Sequence, residues 1–157
     1  PIRAEEIDGK SYHFVTEQVL QDFEARGCLI EKRVYHTVKG PWIYATADDG
    51  QIDLSSADYL VLATLESYCS WKAYFGSEHL VPLYIELEDG ERLLRAIHRE
   101  QQEARPDYRE VCRRFLADAE DFSEERLREA GIRERYRNDD REKCLSELAA
   151  RIRREEQ

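Results

Sequence analysis

Arg3, Tyr12 and Tyr44 combine a guanidinium fork with two phenolic hydroxyls, all near the ends of extended segments in the polar first third of the chain. Such a set can cradle a phosphate monoester, the arginine through paired charge-assisted bonds and the tyrosines through their hydroxyls. On residue types alone they are equally an exposed arginine and two half-buried sheet tyrosines. Glu31 and Thr46 form a second set. A carboxylate accepts from two adjacent donors, which guanine offers through its ring N–H and exocyclic amine, whereas adenine presents an acceptor there and is refused. The Thr46 hydroxyl can bond the base as well. By itself, Glu31 is also simply a charged residue in an alternating strand. The third set is Arg95, Arg99, Arg113 and Arg114, on two helical patterns flanking "QQEARPDY". Arg95 and Arg99 are four apart and share a helix face. Convergent arginines at a hairpin suit phosphoryl transfer, since they neutralise the migrating charge and close over it. With so many glutamates nearby, they are also candidates for surface ion pairs.

The elements that must position these side chains follow from apolar periodicity. "SYHFV" predicts a short strand, and "TEQVLQDFEARG" a helix capped by Thr16 and stopped by Gly27. "CLIEKRVYHTV" and "WIYAT" alternate as strands joined by a turn at "KGP". From residue 50 the texture changes. "DYLVLATL" is a continuous apolar run, the mark of a strand buried on both faces of a parallel sheet. "ESYCSWKAYFG" predicts a helix and "LVPLYIEL" a second buried strand. Helices follow at "EDGERLLRAIHREQQEA", at "DYREVCRRFLADAEDF" with Val111, Cys112, Phe115 and Leu116 on one side, at "SEERLREAG", and at "DDREKCLSELAARIRREEQ". "IRERYRN" fits either state. Buried strands alternating with helices predict an α/β core.

Composition narrows the class. The chain has 157 residues, long enough for a real core, and a net charge of −10. That charge disfavours nucleic acid as the partner, because phosphate contacts need a basic field. No apolar run approaches the roughly 18 residues of a membrane helix. Cys28, Cys69, Cys112 and Cys144 lie far apart with no C-x-x-C pair. They predict buried thiols in a cytoplasmic protein, with neither a disulfide framework nor a zinc site. His13, His36, His79 and His98 show no metal-ligand spacing either.

In order and spacing, these residues resemble the guanylate kinase family across nearly the whole chain. The family's R-x-G-E-x-x-G-x-x-Y-x-F-V corresponds to "RAEEIDGKSYHFV", and its G-x-(F/L)-(I/L)-E to "ARGCLIE". Its Y-G-(T/S) corresponds to "YAT" and its V-N-D-D-L to "RNDDR". The resemblance implies a P-loop NTPase-like parallel sheet core flanked by helices, with a small mixed-sheet monophosphate-binding subdomain and a helical lid. Residues 1–49 would bind the monophosphate, 50–96 and 112–157 would form the core, and 97–111 the lid. Arg3, Tyr12 and Tyr44 would hold the acceptor phosphate, while Glu31 and Thr46 would read guanine. Arg95, Arg99 and Arg114 would act on the transferred group, and Asn138 would lie near the adenine of ATP, bound with Mg2+. The implied partners are small-molecule nucleotides, with neither nucleic acid nor membrane.

Several positions depart from the family pattern. Where the family carries D-x-D-x-Q-G, this chain reads "LATLES": Leu62 and Thr64 stand in place of two acids and Glu66 in place of the glutamine. Thr64 keeps one hydrogen-bonding group toward the acceptor, but the negative charge is gone. Ala45 and Glu5 stand where the family has glycines. The phosphate-cradling G-x-x-G-x-G-K-S/T is not in this sequence; "DDGQID" and "EDGERL" lack its glycines and lysine. By the resemblance it would precede Pro1, and without it the chain would not transfer phosphate. Two alternatives stay open: a non-catalytic guanylate kinase-like module binding a ligand or phosphopeptide, and a kinase of another small phosphate acceptor.

Overall fold

The computed structural model describes residues 7–10, 12–37 and 40–155. It is a mixed α/β protein whose contacts divide it into two units, one ending at Leu80 and the other beginning at Val81.

In the first unit, helix α1 (Glu17–Ala25) starts where Thr16 predicts: its side chain accepts from the Val19 amide. Gly27 follows with φ 71°, a left-handed turn open to glycine at no steric cost. Strands β1 (Leu29–Thr37) and β2 (Gly40–Ala47) then pair as an antiparallel hairpin, in register Glu31↔Thr46, Arg33↔Tyr44 and Tyr35↔Trp42. An irregularity between Leu29 and Glu31 shifts the register at the open end. Because strand side chains alternate, these six residues share one face of the hairpin. Helix α2 (Leu65–Phe75) is capped by Thr64 and ends at Gly76, φ 92°.

Two expectations for this unit fail. Among its described residues, "SYHFV" contributes an isolated bridge between Asp8 and Tyr12 and no longer strand. In "DYLVLATL", residues 58–64 have no regular secondary structure and belong to no sheet, Leu65 opens α2, and Leu60 and Leu62 are 82% and 99% exposed. An apolar run becomes a buried strand only when neighbours pair its edges and cover its faces. Among the described residues, none does so here.

In the second unit, strand β3 (Tyr84–Glu86) pairs in parallel with β4 (Arg135–Arg137). "LVPLYIEL" is thus a three-residue strand with an exposed Ile85, not the long buried strand its composition predicts. "IRERYRN", which fitted either state, supplies β4. Helices α3 (Asp89–Glu100) and α4 (Tyr108–Asp121) pack together, with Arg92 stacked over Phe115 at 4.2 Å. Cys112 and Leu116, expected on the packed side of α4, are exposed, while Val111 is buried. Helices α5 (Glu124–Ala130) and α6 (Arg141–Glu155) complete the unit. Its core is Val111, Leu127, Ala130, Ile132, Tyr136 and Cys144. Arg135 ties β4 to its surroundings, donating to Glu86 at 2.7 Å and to both oxygens of Glu124.

The thiols are all free, but only Cys144 is buried, which pushes its titration up. Cys69 and Cys112 are exposed, contrary to the expectation of buried thiols. Each lies on an exposed helix face, Cys69 on α2 and Cys112 on α4. No described helix is long and apolar enough to cross a membrane.

Candidate functional site

Glu31 is the one acidic side chain buried among the described residues, 9% exposed. Its Oε1 accepts from the Thr46 hydroxyl at 2.8 Å. The cross-strand register makes this contact inevitable once β1 and β2 pair, since the two residues are directly opposite. A buried charge is costly unless neighbouring groups compensate it. The compensating cation is Arg33, two residues along β1 and therefore on the same face. Its Nε lies 3.4 Å from Glu31 Oε2. The two are close enough to attract but lack hydrogen-bond geometry, and both atoms are shut off from solvent. Arg33 Nη1 instead donates to Tyr35 Oη at 3.3 Å and to Thr64 Oγ1 at 3.2 Å.

Thr64 is thereby joined to the hairpin. Its Oγ1 also accepts from the Ser67 amide as the α2 cap and lies 3.0 Å from Ser67 Oγ. With two donors already on its oxygen, the Thr64 hydroxyl has its own proton left for Ser67. Beside this polar chain stand three tyrosines: Tyr44 meets Tyr12 at 5.5 Å and Tyr35 at 5.6 Å between ring centroids, both edge to face. Tyr12 is half exposed, so its phenol is open to a ligand.

Five residues that the sequence singles out for an acceptor therefore come together from separate segments: Tyr12, Glu31, Tyr44, Thr46 and Thr64. Arg3 lies outside the described residues. The sequence reading missed Arg33 and Tyr35. The i, i+2 rule was the available signal, because Glu31, Arg33 and Tyr35 must share a face of any strand containing them.

The second unit holds the remaining candidates. Arg95, on α3, gives its Nε to Glu91 at 2.7 Å. Arg114 and Arg113, on α4, both donate to Glu110 at 2.7 Å, and donation from Arg113 and then Arg114 holds the Glu110 carboxyl down to about 2. Arg99 lies one turn beyond Arg95 and has no carboxylate partner among the described residues. Asn138 continues the β3–β4 pairing, its amide donating to the Glu86 carbonyl at 2.9 Å. Asn138 lines a cavity of about 350 Å³ together with Arg95, Arg141 and Asp139 and the apolar Ile85, Leu145 and Leu148. An apolar wall beside two arginines and an aspartate suits a planar ligand that carries polar groups at its edge. Among the described residues, no group of His, Cys, Asp and Glu could hold a metal ion.

Comparison with family models, characterised proteins and solved structures gave no match.

Proposed function

We propose that this chain carries the acceptor half of a guanylate kinase-like phosphotransferase, moving a phosphoryl group from ATP to a nucleoside monophosphate, with GMP the leading acceptor. The observation that carries the reading is the buried Glu31 carboxylate bonded to Thr46, on a hairpin face shared with Tyr44, whose ring meets Tyr12, and joined to Thr64 through Arg33. A carboxylate and tyrosines on one hairpin face match what a guanine monophosphate needs at its base and phosphate. The P-loop NTPase-like core belongs to the same reading, and the parallel β3–β4 pair is consistent with it. The cavity lined by Arg95 and Asn138 is the place this reading gives to the donor nucleotide. The described residues hold no group of three His, Cys, Asp or Glu for a metal ion, and in this reading Mg2+ would be held chiefly by the donor phosphates.

In this mechanism the acceptor phosphate is itself the nucleophile, and no general base is required. The protein contributes position and charge: tyrosines and Arg3 on the acceptor phosphate, Glu31 on the base, and Arg95, Arg99 and Arg114 on the transferred group. The phosphate-cradling loop would come from sequence before Pro1.

The test is ADP release by the protein together with whatever coding sequence precedes Pro1, comparing GMP, AMP, UMP and CMP. Turnover fastest with GMP supports the proposal, and no turnover with any of the four removes it. One observation favours the non-catalytic module instead: Arg95 and Arg114 are each tied to a glutamate of their own helix. A chain that binds GMP or a phosphopeptide without releasing ADP would select that reading.

A further inference from the structure

The Glu31 carboxylate, which on the reading above meets the base, already has a cation on it. We infer that Arg33 sets the base selectivity of this site: its guanidinium stands where the base edge would go, lowers affinity for guanine and blunts the preference that Glu31 confers.

The geometry gives the reason. Glu31 Oε1 is satisfied by Thr46, but Oε2 receives no hydrogen bond although Arg33 Nε lies 3.4 Å away. A solvent-shielded carboxylate oxygen short of a donor gains from any ligand that supplies a linear N–H. Arg33 is held by contacts that are each long: 3.3 Å to Tyr35, 3.2 Å to Thr64 and 3.4 Å to Glu31. It is therefore displaceable, and its Tyr35 and Thr64 partners remain available once it leaves the carboxylate. The ring N–H and exocyclic amine of guanine form the same N–C–N donor pattern as a guanidinium, so a guanine edge competes with Arg33 for one place.

Arg33 also changes what the site refuses. A bare buried carboxylate repels the ring acceptor of adenine, and that repulsion is how a carboxylate discriminates. With Arg33 beside it the pair is neutral overall, and a base presenting an acceptor is no longer penalised in full. Thr64 points the same way, since a hydroxyl at that position leaves the Arg33 charge to be balanced by Glu31 alone among the described residues. The acceptor class is accordingly nucleoside monophosphates with a shallow guanine preference.

The experiment is calorimetric titration of GMP and of AMP into the full chain, as wild type, Arg33→Gln and Arg33→Ala. GMP is expected to bind either variant about tenfold more tightly, equivalent to about 1.4 kcal/mol, with no gain for AMP. A GMP affinity unchanged or weakened in a folded variant, with wild type still binding GMP, overturns the inference and leaves the acceptor-site reading standing. GMP bound by none of the three proteins removes both. Should neither variant fold, the wild type alone decides: the Arg33 Nε–H resonance, assigned through its own side-chain couplings, should move on addition of GMP. A resonance unmoved at saturating GMP overturns the inference.

Discussion

The Thr46 hydroxyl donates to Glu31 Oε1 at 2.8 Å across the β1–β2 hairpin, fixing a buried carboxylate on a sheet face that also carries Arg33, Tyr35 and Tyr44. Hydrogen bonds to charged groups contribute about 1.5–3 kcal/mol, and losing the donor leaves the acceptor unsatisfied. Thr46→Val keeps the side-chain shape and removes the hydroxyl. It should lower the unfolding free energy by about 2 kcal/mol, measured by urea denaturation at pH 7. A change below the error of that measurement would mean that Glu31 does not depend on Thr46.

That contact was half legible. Alternation in "CLIEKRVYHTV" and "WIYAT" places Glu31 and Thr46 on strands, and the turn residues between them place those strands in one hairpin. Opposition of the two residues needs the register, which a single irregularity between Leu29 and Glu31 shifts. Thr16 and Thr64 are legible as caps because each sits just before a helical pattern. What misled was hydrophobicity read without neighbours. "DYLVLATL" has the composition of an interior strand, but pairing is a property of two segments, and one segment cannot reveal it. In the same way, "IRERYRN" becomes a strand only because β3 lies beside it.

Leu62 and Leu127 make the second prediction, as a contrast between two leucines of opposite surroundings. Leu62 is 99% exposed and Leu127 is 1% exposed. Leu62→Ser should change stability by less than about 0.5 kcal/mol. Leu127→Ala should cost about 2–5 kcal/mol through lost burial and the cavity left behind. Paired denaturation curves of the two variants check this; a large cost at Leu62 would show that something covers it in solution.

Glu110 gives a pH-dependent prediction. Donation from Arg113 and Arg114 depresses its carboxyl from an ordinary value of 4.5 to about 2. A depressed carboxylate adds stability above its unfolded value, and that contribution fades as pH falls from about 4.5 toward 2. The pairs are exposed and screened, so their share is small, about 0.5–1 kcal/mol. Glu110→Gln should therefore be slightly less stable than wild type at pH 7 and equal to it near pH 2. Thermal unfolding of both proteins across that range checks the sign. A gap that widens on acidification would contradict the ion-pair assignment.

Arg99 separates the enzyme from the binding module. Arg95 and Arg114 are already engaged by Glu91 and Glu110, whereas Arg99 has no carboxylate partner among the described residues. A guanidinium free of a local partner can meet a transferred phosphoryl group without first breaking an ion pair, so its removal should act on the transition state. Under the proposed function, Arg99→Ala should lower kcat at least tenfold, about 1.4 kcal/mol of transition-state stabilisation, while the KM for GMP changes little. Glu31→Ala should do the reverse, raising the KM for GMP far more than the KM for ATP. Steady-state kinetics of both variants in the phosphotransferase assay separates the two effects. An unchanged kcat for Arg99→Ala removes Arg99 from the catalytic set, and equal KM changes for GMP and ATP in Glu31→Ala remove Glu31 from base reading. Only the crossed pattern, kcat from one residue and acceptor KM from the other, fits a hairpin that reads the base and a helix arginine that acts on the phosphate.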